Sequence, residues 1–107
     1  MIAQKSGHII MITSTSGKKP RDGEVLYCAS KFAQAGLSES LHLEGMKHNV
    51  KVTTVYPGGM KTNFYRNAPS RNIDSYMDPK SVAKQIVGLI NDEHNVVSQI
   101  TIERMGK

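Results

Sequence analysis

Residues 7–31 read Gly7-His8-Ile9-Ile10-Met11-Ile12-Thr13-Ser14-Thr15-Ser16-Gly17-Lys18-Lys19-Pro20-Arg21-Asp22-Gly23-Glu24-Val25-Leu26-Tyr27-Cys28-Ala29-Ser30-Lys31. His8 to Thr13 is a short, β-prone apolar run between a glycine and a Ser/Thr/Gly cluster, the pattern of a strand buried on both faces. Thr13 to Gly23 is polar and punctuated by Gly17, Pro20 and Gly23, and reads as a loop. At Glu24 the period turns helical and stays so to about Lys47. Val25, Ala29, Phe32, Ala33, Gly36, Leu37, Ser40, Leu41 and Glu44 recur at three- and four-residue steps and form one stripe. Gly36 falls inside this helix, where glycine costs about 1 kcal/mol relative to alanine. Close packing of another backbone would account for it.

Working outward, Val50 to Tyr56 is β-branched and stops at Pro57-Gly58-Gly59, a strand end. Met60 to Met77 keeps no sustained period and reads as a loop with room for a short helix. Asp78-Pro79 supplies an N-cap and a proline for the first helical position. Val82, Ala83, Ile86, Val87, Leu89 and Ile90 give that helix an apolar face ending near Asn91. Val96 to Ile102 is a last strand. The order β-α-β-α-β with long crossovers is the signature of a parallel sheet in an α/β layer.

The whole chain has 107 residues, with 14 Lys+Arg against 9 Asp+Glu for a net charge of +5. That length suits one domain. A single cysteine, Cys28, excludes an internal disulfide framework and points to a reducing compartment. The longest apolar run, Ile9 to Ile12, is far too short to span a bilayer, and no segment reads as a signal peptide, so the expected location is the cytoplasm, with no membrane partner. The cations are scattered except at Lys18-Lys19-Pro20-Arg21, and no basic helix, aromatic-interleaved strand or zinc-finger spacing organises them, which argues against nucleic acid. His8, His42, His48 and His94 lack metal-ligand spacing, so no metal is expected. Cys28 has no evident base partner and is read as inert. Thr15 to Lys19 superficially suggests a phosphate loop, but Ile12 stands where the first glycine belongs and Lys19 replaces Ser/Thr.

Three residues carry chemistry. Tyr27 and Lys31 are four apart at the start of the long helix and so share a face. Ser14 ends the first strand, and ligands of open parallel sheets lie beyond the carboxyl ends of the strands, where the Pro57-Gly58 turn also belongs. A free phenol ionises near pH ~10, too high for base catalysis at neutral pH, and a nearby ammonium favours the phenolate. Tyr27 could then exchange a proton with a carbonyl or alcohol oxygen while Ser14 holds that oxygen by a hydrogen bond. Ser16 is the rival hydroxyl, and the spacing to Tyr27 favours Ser14.

Tyr27-Cys28-Ala29-Ser30-Lys31 resembles the Tyr-x-x-x-Lys motif of the short-chain dehydrogenase/reductase family, including its Ala-Ser-Lys ending. Gly7 to Ser14 looks like the family's Gly-x-Ile strand leading to the catalytic serine, and Val55 to Thr62 like its Pro-Gly turn with the following threonine. The resemblance runs over nearly the whole chain. It implies a doubly wound, Rossmann-like sheet of which residues 1–107 form the C-terminal portion. It implies Tyr27 as general acid/base, Lys31 as its activator and a holder of the nicotinamide ribose, and Ser14 as the group orienting the substrate carbonyl. Pro57, Gly58 and Thr62 would line the nicotinamide end of NAD or NADP, Met60–Met77 would be the substrate loop, and the helix carrying Tyr27 would support a homo-oligomer.

The chain departs from the family pattern upstream. It has no Gly-x-Gly-x-x-Gly, no Asn-Asn-Ala-Gly stretch and no upstream catalytic asparagine, and Met1 would fall near the end of the helix preceding the first strand. Residues 1–107 are therefore expected to be a single incomplete domain without the dinucleotide-binding half. The sheet should show a bare edge at the first strand, and the polypeptide alone should not turn over NAD(P)H. The second reading is a non-catalytic fragment acting as an oligomerisation or interaction module.

Overall fold

Lys51–Pro57, the β-branched run closed by Pro57-Gly58-Gly59, forms the strand around which the chain is organised. The structure, a computed structural model, describes residues 1–68, 71–91 and 93–106. In chain order the regular elements are β1 (His8–Ile12), α1 (Val25–Met46), β2 (Lys51–Pro57), α2 (Pro79–Val87) and β3 (Gln99–Ile102), with short 3-10 turns between them. The three strands form one parallel sheet in the order β1-β2-β3. His8 pairs with Lys51 and Ile12 with Val55, while Thr54 pairs with Gln99 and Pro57 with Ile102. The expected β-α-β-α-β order is the observed one, with β3 shorter than Val96–Ile102.

Alternation along β2 sends successive side chains to opposite faces, and each face has its own helix. On one side Thr54 Oγ1 meets Ser38 Oγ of α1 at 2.6 Å, and His42 Nδ1 lies 3.1 Å from the Val52 carbonyl oxygen. On the other, Val55 packs with Val82 of α2 and Ile102 of β3, and Ile10, Ile86 and Ile100 close around them. Thr53 Oγ1, also fully buried, is satisfied by His8 Nε2 at 2.8 Å. The polar atoms inside β2 therefore have partners, as burial demands.

Three sequence expectations change here. The strand enclosed on both faces is β2; His8 to Met11 of β1 are half-buried and Ile12 is exposed. The cause is position, because among the described residues β1 is bonded to β2 alone, whereas β2 has strands on both sides and helices on both faces. The stripe Val25, Ala29, Phe32, Ala33, Gly36, Leu37, Ser40 exists, but it faces outward. The face of α1 set against the sheet is small and polar: Cys28, Ala35, Ser38 and Gly45 are its buried residues. Gly36 likewise has no backbone packed on it, since a Cβ there would meet no other atom within 4 Å. Close approach falls instead at Gly45, where a Cβ would run into the Val50 carbonyl, and at Gly17.

Asp78 caps α2 as expected, its carboxylate accepting from the Lys80 N–H at 3.1 Å, with Pro79 in the first turn. Val82, Ile86 and Leu89 turn toward the protein, while Ala83, Val87 and Ile90 remain exposed. Among the described residues no helix is long and apolar enough to cross a membrane.

Tyr56, at 2% exposure, donates its phenolic proton to Glu39 Oε1 on α1. Burial, then the Glu39 hydrogen bond and charge, push this phenol up to about 12. A proton held more tightly in the folded state than in the unfolded one stabilises fully below the unfolded value near ~10 and ceases to do so as pH rises through about 12. Stability should therefore fall across that alkaline window, and Tyr56→Phe should flatten the fall. Denaturant midpoints measured from neutral pH to the alkaline limb check this; identical pH dependence in the two proteins would refute it.

Candidate active site

The carboxyl ends of β1 and β2 open into a cleft of about 590 Å³. Ser14, Tyr27, Lys31, Pro57, Gly58 and Thr62, the residues singled out in the sequence, all line it. They arrive from a strand end, a helix and two turns. Thr13 ends β1 by donating both its N–H and its hydroxyl to the Val55 carbonyl, each at 2.8 Å, which straps the chain to β2 at the point of exit. Ser14 then caps a 3-10 turn over Thr15–Gly17, its Oγ accepting from the Ser16 N–H at 3.1 Å. An acceptor bond of this kind leaves the Ser14 hydroxyl proton free to donate. Ser16, the rival, is 3% exposed and supports the turn from inside.

The turn is seated directly on α1. A Cβ at Gly17 would lie 2.9 Å from the Lys31 carbonyl oxygen and 3.2 Å from its carbon, so only glycine lets the Ser14 turn approach the helix this closely. Lys31 Nζ stands 5.6 Å from the centre of the Tyr27 ring and donates to Gln34 Oε1 at 3.2 Å. Gln34 in turn donates to the Ile12 carbonyl at 3.2 Å, which ties the lysine's position to the end of β1. An ammonium carries three donors, so this one keeps two for a ligand. Thr62 repeats the device of Ser14: its Oγ1 accepts from the Phe64 N–H at 3.3 Å and its proton stays available. Cys28 is a buried free thiol on the sheet-facing side of α1.

The rest of the cleft is built by residues that periodicity did not single out. The segment between β2 and α2 is pinned at its feet, Lys61 N–H to the Met77 carbonyl at 2.9 Å and Met77 N–H to the Gly59 carbonyl at 3.1 Å. Its rings form a chain across the cleft: Tyr27 to Phe64 at 5.8 Å, Phe64 to Tyr65 at 5.0 Å edge-on, and Tyr65 to Tyr76 at 5.1 Å edge-on. These spacings suit the attraction between ring edges and faces. Tyr76 lies against Gly59, in the space where a side chain would be. Burial, then Tyr76 and Tyr27, push the Tyr65 phenol up, so it stands in the cleft as a neutral hydrogen-bonding group. Arg71 pairs with Glu24 at the head of α1, which lacks a capping side chain of its own. Three of the chain's six aromatics fall in this aperiodic stretch, a compositional signal that helix- or strand-period reading passes over.

A family profile described as short chain dehydrogenase matches residues 1–72. Sepiapterin reductase of Chlorobaculum tepidum is 34% identical over 103 residues, which is 95% of this chain and 42% of that protein. A short-chain dehydrogenase/reductase crystal structure from Vibrio parahaemolyticus superposes with a TM-score of 0.72 at 39% identity, over 91% of this chain and 42% of that one. A 4-hydroxyisoleucine dehydrogenase mutant complexed with NADH and succinate gives a TM-score of 0.81 at 27% identity, over 95% of this chain and 48% of that one. The chain spans less than half the length of these relatives.

Proposed function

This chain belongs to the short-chain dehydrogenase family, and from that premise we propose that its cleft carries out the proton transfer of an NAD(P)-dependent interconversion of carbonyl and alcohol. The observation that carries the reading is the convergence of Ser14, Tyr27 and Lys31, from a strand end and a helix, on one cleft floored by Pro57 and Gly58.

Tyr27 donates its proton to the carbonyl oxygen, or takes one from an alcohol, and Ser14 donates a hydrogen bond to the same oxygen as charge builds on it. Lys31, close to the Tyr27 ring, stabilises the phenolate left behind. The residues present fit a nicotinamide nucleoside: the two free donors of Lys31 suit ribose hydroxyls, and Pro57, Gly58 and Thr62 offer a small-residue wall with one hydroxyl. A bound NADH or NADPH supplies the hydride. Its pyrophosphate is assigned to a glycine-rich turn, which residues 1–107 do not contain. The test is carbonyl-dependent oxidation of NADH or NADPH by a preparation that carries this cleft together with a dinucleotide-binding half, followed by nicotinamide absorbance and required to depend on Tyr27.

The outward stripe of α1 supports a second element of the proposal, a homo-oligomer joined through this helix. Val25, Leu26, Leu37, Leu43 and Met46 are more than half exposed, and Phe32 lies among them. An apolar patch of this kind on a free surface marks an interaction site. Sedimentation at micromolar concentration should give a species larger than one chain, and Phe32→Glu with Leu37→Glu should return it to monomer with unchanged circular dichroism. A wild-type monomer would refute this element alone.

A further inference from the structure

The cleft carries four cations, Arg21, Lys31, Arg71 and Arg104, against two carboxylates, Glu24 and Glu103. Arg71 is neutralised by Glu24. Arg104 stacks 4.8 Å from the Tyr76 ring centre and donates to Ser75 Oγ at 2.7 Å. Lys31 stands beside Tyr27 and is bonded to Gln34. Arg21 differs from all three. It is half-buried, it has no carboxylate within ion-pair distance and no aromatic ring beneath it among the described residues, and the one hydrogen bond of its side chain runs from Nη2 to Thr15 Oγ1 at 3.3 Å. A guanidinium offers five donors in a planar fork matched to an oxyanion. This bond holds the fork on the turn that begins at Ser14, and both residues line the same cleft.

We propose that Arg21 is the specificity-determining residue of the cleft and that it selects carbonyl compounds bearing an oxyanion, a carboxylate or a phosphate, at a distance from the reacting carbonyl. The proposal rests on the reading of the cleft as a carbonyl site. The substrate's oxygen lies at Ser14 and Tyr27, its oxyanion at Arg21, and its body runs along the rings of Phe64 and Tyr65. Lys31 stays with Tyr27 and the cofactor, Arg71 with Glu24, and Arg104 with Tyr76 and Ser75, so Arg21 is the cleft cation with neither a carboxylate nor an aromatic ring against it among the described residues.

The test is calorimetric titration of the full chain with three probes: 3-benzoylpropionate, its methyl ester, and dihydroxyacetone phosphate. At least one anionic probe should bind, and Arg21→Gln should weaken it roughly tenfold, at the lower end of what a hydrogen bond to a charged group contributes. The ester should change less than twofold, and Arg104→Gln should leave the anionic probe within threefold of wild type. Whichever anion responds identifies the source. Equal binding of acid and ester, equal losses for both on Arg21→Gln, or a loss that follows Arg104 instead would overturn the role of Arg21 and leave the carbonyl site standing. Failure of all three probes to bind would overturn both.

Discussion

Replacing Tyr27 with phenylalanine lowers the rate of carbonyl reduction by ~10²–10⁴ in any preparation that carries this cleft and reduces a carbonyl with NADH or NADPH, the usual weight of a positioned acid/base group. The ring stays, and with it the packing against Phe64 and the site beneath Lys31. Only the proton is removed. Binding of the carbonyl compound should therefore change little while kcat falls, the signature of a group that acts in the transition state. Lys31→Gln gives a second reading of the same device: it keeps a donor and similar length but deletes the charge beside the phenol, so kcat should fall here too. Turnover unchanged by Tyr27→Phe would remove the assignment of the proton to this residue.

Gly17→Ala should damage both the fold and the site. The added methyl has no free volume, because the Lys31 peptide carbonyl already lies within 2.9 Å of the position it would take. Backbone cannot swing aside as a side-chain tip can, so either α1 or the Ser14 turn must shift. Overpacking of this kind costs ~1–3 kcal/mol, and a chain of this size loses about 4–8 °C of Tm for each kcal/mol. The shift also falls between Ser14 on one side and Lys31 on the other, and small misplacements of catalytic groups are expensive in rate. Gly88→Ala, where a Cβ meets nothing within 4 Å, should spare both quantities. Thermal unfolding and kcat measured on the two variants check this; a Gly17→Ala protein with wild-type Tm would show that the turn does not press on the helix.

Some of this was readable from the sequence because it is local. Tyr27 and Lys31 are one helical turn apart, Asp78 and Pro79 announce a helix start, and Pro57-Gly58-Gly59 ends a strand whatever surrounds it. The side of α1 that meets the sheet was not readable, because the larger apolar residues lie on the other side and the sheet side is Cys28, Ala35, Ser38 and Gly45, chosen for closeness rather than greasiness. The burial of β1 depends on how many neighbours it has, which its own residues do not encode. The aromatic wall depends on the path of an aperiodic segment that brings Phe64 to Tyr27 and Tyr76 to Gly59. Arg21 read only as the end of the one dense basic run, Lys18-Lys19-Pro20-Arg21; its distinction is that its neighbours in the fold set neither a carboxylate nor a ring against it among the described residues.

The register of the sheet has a kinetic consequence. His8 finds Lys51 forty-three residues away, and Thr54 finds Gln99 at forty-five, so neither strand pair forms until a whole helical crossover has been closed. Closing a loop of that size costs on the order of 3 kcal/mol beyond the fixed part, before any sheet contact compensates. Topologies dominated by such distant pairs fold slowly, in milliseconds to seconds, while helices relax in microseconds or less. The helix bearing Tyr27 and Lys31 is thus the element able to form early, and the serine that completes the cleft is delivered late, when β1 finally zips onto β2. Assembly of the cleft that brings Ser14 to Tyr27 and Lys31 should be the last step of refolding, lagging behind the recovery of helical signal.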